Sequence, residues 1–270
     1  MFAFVKFAFL AVVAGYVAIA VLVWALQDRM IFLPQPQGIA TVPLPDRWSS
    51  EDVIINVADG ISLYAVLVKP PGGPAPLVIY FGGNAEDVTY LAQFADHYGG
   101  SALLLPQYRG FGRSQGRPSE AHLLADAVTF YDAMEKRADI QRSHISLHGR
   151  SLGSGVAVFL ASQRTPRKVI LTTPYDSLVH VGAAMYPFLP ITLLLRHKFD
   201  SLALAPGMKI PALFLVAEMD QVIPSRHAKR LYDAWQGPKM WRGFPQRDHN
   251  NVSEAAGYWD TIAAFLRSAE

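Results

Sequence analysis

The chain has 270 residues, enough for one α/β domain with an appendage rather than two full domains. Hydrophobic residues make up 51% and charged residues 17%, and a formal net charge of +2 gives no sign of the clustered basic face that nucleic acid requires. The absence of cysteine excludes disulfides, thiolate metal sites and cysteine nucleophiles together.

The first element is apolar. Phe7 to Leu26 is twenty residues without a charge, preceded by Lys6 and followed by Asp28 and Arg29. At ~1.5 Å per residue such a helix matches a hydrocarbon core of ~30 Å. A buried core helix would carry a polar face, and this segment has none. A signal peptide with Ala18-Ile19-Ala20 as a loose cleavage site is the rival. The apolar run continues past it through Val21 to Leu26, whereas the apolar region of a signal peptide spans ~7–15 residues. Residues 1–27 are therefore expected to be an uncleaved membrane anchor. Lys6 and the terminal amine precede it while Asp28 and Arg29 cancel after it, which puts the N-terminus in the cytoplasm and the domain outside.

Residues 28–50 hold four prolines and no steady period, and read as an ordered, non-helical connector to a domain at 51–270. Asp52–Val57 and Ile61–Val68, with Ala58-Asp59-Gly60 between them, predict a hairpin turned at Asp-Gly. Short apolar runs at Leu77–Phe81, Ala102–Leu105, Ile145–Leu147, Val169–Leu171, Ala212–Val216 and Lys239–Arg242 predict buried strands. Helical stretches alternate with them at Glu86–Tyr98, Ser119–Arg137, Gly153–Gln163 and Arg226–Trp235, and Ser253–Ser268 closes the chain. In Ser119–Arg137, Leu123, Ala127, Phe130, Tyr131 and Met134 share a face, with acids early and bases late as the helix dipole favours. The alternation implies a mostly parallel sheet, eight strands in all, covered by helices on both faces.

The segment Ile145-Ser146-Leu147-His148-Gly149-Arg150-Ser151-Leu152-Gly153 places Gly-x-Ser-x-Gly between a strand and a small-residue helix. An isolated match arises by chance in glycine-rich turns; this flanking context is that of a nucleophile elbow at Ser151. Side chains two residues to either side would collide with the neighbouring strand and helix, hence the glycines. The Leu152 N–H, at the start of the helix, would be one oxyanion donor.

With this motif the chain resembles the α/β-hydrolase superfamily, in particular its membrane-anchored serine hydrolase branch with esterase-like and depalmitoylase-like members. The matching segments run in the family's order: Ile31-Phe32-Leu33-Pro34, Tyr80-Phe81-Gly82-Gly83-Asn84-Ala85, Tyr108 to Ser114, Gly149 to Gly153, Asp220 to Pro224, and His249-Asn250. The resemblance implies an α/β-hydrolase fold with a small cap, and a triad in the chain order serine, acid, histidine. Asp220, past the strand at 212–216, takes the acid's place, with Asp176 the rival because it too follows a strand. His249, past the last strand and before the closing helix, takes the base's place. His148 precedes the elbow on its strand and reads as structural. His97, His122, His144 and His180 read as surface or loop residues, and His197 and His227 fall in helix-like or cap-like stretches. The family usually has His-Gly before the second oxyanion donor; here Gly82-Gly83 precedes Asn84, which leaves the loop's rigidity open. Asn84 is the donor expected, with Gly83 or Ala85 as alternatives.

Arg109, Arg113 and Arg117 crowd a glycine-rich loop at a strand's carboxyl end; a structural role there outweighs binding of an anionic headgroup. The apolar stretch His180–Ala205 lies where the superfamily inserts a cap and would suit acyl chains, though core packing explains the same residues. No phosphate loop, metal set or dinucleotide motif occurs, so no cofactor is expected; His148-Gly149-Arg150 lacks a second ligand at helical spacing. The function expected is hydrolysis of carboxylic esters or thioesters through an acyl-enzyme. The partners expected are an acyl substrate and, through the anchor, membrane lipid. A peptidase or amidase with the same residues, or a non-catalytic scaffold, are the alternatives.

Overall fold

The computed structural model describes residues 1–35, 43–58 and 60–269; residues 36–42 of the proline-rich connector and Asp59 of the hairpin turn lie outside them. Eight strands form one sheet: β1 (Ser49–Asn56), β2 (Ser62–Lys69), β3 (Ala75–Phe81), β4 (Ala102–Pro106), β5 (Ile140–Arg150), β6 (Val169–Thr172), β7 (Ala212–Ala217) and β8 (Lys239–Phe244). Their spatial order is β1-β2-β4-β3-β5-β6-β7-β8. The β1–β2 hairpin is antiparallel from Ser49↔Lys69 to Asn56↔Ser62, β2 also runs antiparallel to β4, and every later pairing is parallel. This is the α/β-hydrolase fold expected from the motif order.

The strand period of two divides the core into the two faces of the sheet. Leu77, Ile79, Leu104, Leu147, Leu171 and Phe214 point to one side, into a cluster with Leu123 and Phe130 of α2 (Glu120–Glu135), Val156 and Leu160 of α3 (Leu152–Gln163), and Leu231 of α7 (Ser225–Ala234). Val78, Tyr80, Leu103, Leu105, Ile170 and Leu213 point to the other, against the 3₁₀ segment Val88–Tyr98 and α8 (Tyr258–Arg267). Strands buried on both faces read as unbroken apolar runs, which is why β3, β4, β6 and β7 were legible as such. β8 departs from that reading. It is the edge strand, so its outward residues stay accessible, Met240 among them.

Between β6 and β7 a cap segment carries three short helices, α4 (Leu178–Met185), α5 (Ile191–Leu194) and α6 (Ser201–Leu204). The carboxylate of Glu120, at the start of α2, holds it down by accepting the backbone N–H groups of Lys198 and Phe199 at 2.6 and 2.8 Å. Ser119 caps α2 by accepting the His122 N–H at 3.2 Å. The helix expected at Glu86–Tyr98 is a 3₁₀ segment beginning at Val88. Asp87 turns back onto the N–H and hydroxyl of Thr89, tightening the first turn, and Glu86 is drawn elsewhere.

The N-terminal helix α1 (Phe2–Ile31) is thirty residues long, uncharged from Phe7 to Leu26 and exposed over most of that run; by length and composition it can cross a membrane. It runs past residue 27 and delivers Phe32 directly into the core, where the ring meets His197 and Phe199 edge to face.

Candidate active site

The carboxyl ends of β3, β5, β7 and β8 gather the expected residues at one rim of the sheet, where ligands of α/β folds bind. Ser151 follows β5 with φ of 51° and ψ of −120°, a conformation that few L residues adopt. Its N–H donates to the Thr172 carbonyl at 3.0 Å, and its carbonyl accepts the N–H and hydroxyl of Ser154 at 2.9 and 2.7 Å. The turn is closed by two glycines: a Cβ on Gly149 would strike the Gly153 carbonyl, and one on Gly153 the Phe81 carbonyl. The Ser151 hydroxyl is thereby lifted to the head of α3.

His249, in the loop after β8, places Nε2 at 2.9 Å from Ser151 Oγ and Nδ1 at 2.7 Å from Asp220 Oδ2. Asp220, after β7, has its other oxygen fixed by the N–H groups of Val222 and Ile223 at 2.9 and 2.7 Å. A carboxylate only accepts, so Nδ1 carries the proton and Nε2 is left to accept from the serine. All three residues are buried. Asp248 does not compete for the ring: it accepts the N–H groups of Asn250 and Asn251 at 2.8 and 3.1 Å and so holds its own turn.

Asp176, the rival acid, is engaged elsewhere. Its carboxylate accepts from His227 Nδ1 at 2.8 Å, His180 Nδ1 and Arg230 Nε at 2.9 Å each, and the Ser177 N–H at 2.8 Å. Burial pushes its pKa up, but His227, Ser177 and Arg230 together hold it below the usual carboxylate value. His180 and His227 thus tie α4 and α7 to the end of β6, a role their sequence surroundings did not reveal. His148 is structural as expected. It lies buried between the Tyr98 hydroxyl at 3.0 Å and Thr172 Oγ1 at 2.9 Å, and burial pushes its pKa down to about 3.

The loop after β3 faces the head of α3. Among the described residues neither the Leu152 N–H nor the Asn84 N–H has a hydrogen-bond partner. The Gly83 N–H, by contrast, donates to Glu86 Oε2 at 2.6 Å, while Glu86 Oε1 accepts the Tyr80 hydroxyl at 2.7 Å and lies 3.6 Å from Arg150 Nη1. Arg150 Nη2 in turn donates to the His249 and Asn250 carbonyls, both at 3.3 Å. Glu86 and Arg150 therefore brace the Gly82-Gly83-Asn84 loop against the histidine loop. Sequence reasoning missed both; an acid three residues past a Gly-Gly turn was the available signal.

Arg109 and Arg113 are structural. Arg109 forms a bidentate, buried pair with Asp126 at 2.7 and 2.8 Å, and Arg113 pairs with Asp52 at 2.6 Å over the Tyr64 ring. Beside Ser151 opens a cavity of about 420 Å³, within the size range of small-ligand sites. Its walls are mainly apolar: Leu178, Val181, Met185 and Ile191 from the cap segment, and Val23, Met30 and Ile31 from α1. That α1 reaches the cavity was not legible in the sequence.

No family model matches the chain. The uncharacterized protein Rv2307c of Mycobacterium tuberculosis is 34% identical over 266 residues, covering 96% of this chain and 93% of that protein. The α/β-hydrolase domain-containing protein WAV2 of Arabidopsis thaliana is 28% identical over 284 residues, covering 94% and 91%. The uncharacterized membrane protein YNL320W of Saccharomyces cerevisiae is 29% identical over 252 residues, covering 89% and 88%. Among solved structures, an acetyl xylan esterase from Paenibacillus sp. R4 superposes with a TM-score of 0.68 at 21% identity over 93% of each chain, a likeness of fold.

Proposed function

The chain belongs to the α/β-hydrolase superfamily, and on that premise we propose that it is a membrane-anchored serine hydrolase cleaving carboxylic esters or thioesters. One observation carries the reading: the unbroken hydrogen-bond chain from Ser151 Oγ through His249 to Asp220. A serine hydroxyl is a weak nucleophile until a base removes its proton as it attacks. Ser151 Oγ bonds to the acyl carbon while its proton passes to His249 Nε2, and Asp220 stabilises the imidazolium. The oxyanion accepts from the Leu152 and Asn84 N–H groups, whose residues line the cavity together with Ser151. Gly83 is the weaker donor, since its N–H is bound by Glu86. Collapse of the intermediate breaks the bond to the alcohol or thiol, which leaves with the proton from His249. Water then attacks the acyl-enzyme, giving a proton to His249. Ser151 Oγ departs, takes that proton back, and the acid is released.

Incubation with a fluorophosphonate probe tests the reading. Labelling of the wild type that is lost in Ser151→Ala supports it; a wild type that does not label would leave a binding scaffold as the better account. Short p-nitrophenyl esters against amino-acid anilides separate an esterase from a peptidase using the same residues. The anchoring of α1, with the domain outside the cytoplasm, rests on its length and on the Lys6 side being the more basic. Protease added to intact cells should then cut the domain, and cleavage from the cytoplasmic side alone reverses the orientation.

A further inference from the structure

At ~1.5 Å per residue the thirty residues of α1 span about 45 Å, whereas a hydrocarbon core of ~30 Å takes about twenty. The helix thus exceeds the span by about a third of its own length, and at its domain end Gln27 is buried and Val23 and Ile31 are half-buried, while Met30 stays 48% exposed. The Gln27 side chain is 2% exposed; its Nε2 donates to the Leu194 carbonyl at 3.1 Å and its Oε1 accepts the Arg196 N–H at 2.7 Å. Asp28 pairs with Arg196 at 2.8 Å and His197 at 2.9 Å. Val23, Gln27, Met30 and Ile31, spaced i, i+4, i+7 and i+8, form one helical stripe, and all four line the cavity that holds Ser151 and His249.

A second observation concerns the mouth of that cavity. The cap segment that supplies its opposite wall also exposes Phe188 and Leu193, 64% and 83% accessible. The Phe188 carbonyl accepts the Tyr16 hydroxyl at 2.9 Å, two turns above Val23 on the same stripe of α1. The exposed apolar rim thus lies beside the stretch of α1 that the bilayer would surround. Beyond His249 an adjoining hollow of about 390 Å³, which shares Val222 and Asn250 with the cavity, adds Gln221, Gln246 and Asp248 to its lining beside Met219. His249 protonates the leaving group, so the polar half of a substrate belongs on that side.

We propose that α1 is one wall of the acyl site, and that the substrate is a long-chain acyl ester of a membrane lipid entering sideways from the bilayer. Its chain lies against Val23, Met30 and Ile31, and its polar alcohol portion lies beside His249. The inference rests on the hydrolase reading above and names the substrate class of the same site.

The test uses the full chain in phosphatidylcholine nanodiscs, with p-nitrophenyl dodecanoate and butyrate as probes. Val23→Trp and Met30→Trp narrow the wall and should lower the dodecanoate-to-butyrate ratio of kcat/KM about tenfold, the milder Met30→Phe by less. Val21→Trp, at the same level but 57% exposed on the opposite face, should leave the ratio unchanged. Monooleoylglycerol placed in the same discs should release oleate. An unchanged ratio in all wall variants, or an equal fall in Val21→Trp, overturns the wall; absence of oleate release overturns the lipid assignment. Either can occur while Ser151 still labels with fluorophosphonate, whereas loss of labelling in the wild type removes the hydrolase reading itself.

Discussion

Glu86→Ala tests how the loop after β3 is held. The substitution leaves the Gly83 N–H and the Tyr80 hydroxyl without the acceptor that now lies at 2.6 and 2.7 Å, and takes the nearest carboxylate from Arg150. Each buried donor stripped of its partner costs about 1–3 kcal/mol, so the pair spans about 2–6 kcal/mol. The Glu86 side chain is 10% exposed, which lets water take one of the vacated places. The lower end, about 2 kcal/mol, is therefore expected, a fall of about 4–8 °C in Tm for a domain of this size. On the proposed mechanism activity should suffer separately, because Asn84 follows Gly83 directly and its N–H would meet charge that exists only in the transition state. A loss of ~1.4–2.7 kcal/mol there is a ten- to hundredfold fall in kcat. KM for p-nitrophenyl butyrate should stay within about twofold. Scanning fluorimetry and steady-state kinetics on the same preparation give both numbers. An unchanged kcat alongside a lowered Tm would reduce Glu86 to packing. An unchanged Tm would refute the claim that its two hydrogen bonds hold the loop.

Four further outcomes are expected. Asp220→Asn should lower kcat on a short ester by about 10⁴-fold, since the ring loses the partner that fixes its tautomer, with circular dichroism unchanged. Arg109→Ala strands a buried Asp126 carboxylate and should destabilise by about 3–5 kcal/mol in urea unfolding, most of it recovered in Arg109→Met/Asp126→Leu. Gly153→Ala forces a Cβ into the Phe81 carbonyl and should abolish accumulation of folded protein in detergent extracts, where Ser154→Ala does not. His148 sets a pH dependence: its folded pKa of about 3 lies below the ~6.5 of an unfolded histidine, so its contribution is complete above that value. As pH falls from about 6.5 toward 3 the unfolded state binds the proton first, and stability should drop by up to ~1.4 kcal/mol per unit. His148→Gln should flatten that slope in pH-stepped urea melts.

What the sequence disclosed and what it hid differ in range. The elbow at Ser151 was legible because its constraint is local: strand, glycine, serine, glycine and helix lie within a dozen residues, and each glycine answers a collision a few residues away. Asp220 and His249 could be placed because the resemblance supplies the order serine, acid, histidine, and each follows a strand end that reaches the same rim. The Asp176 cluster was not legible, since His227 lies 51 residues from its partner and nothing in its own helix marks it. The bracing of Glu86 by Arg150 depends equally on a meeting of distant loops. The buried face of α1 was hidden for a different reason. A helix apolar all round has no stripe to read, and only the folded chain distinguishes Val23 and Gln27 from Val21 and Leu22.

Because Gln27 is buried, loss of α1 would alter the cavity beside Ser151. A cut before Asp28 would strip the hollow beside Ser151 of Val23 and would withdraw the amide that ties down Leu194 and Arg196. What was shed would be an opened molecule with its reactive hydroxyl exposed to water along one flank. If α1 is the membrane anchor proposed above, helix and domain act as a single unit, and the height of the serine above the bilayer is set by helical rise rather than by a flexible leash.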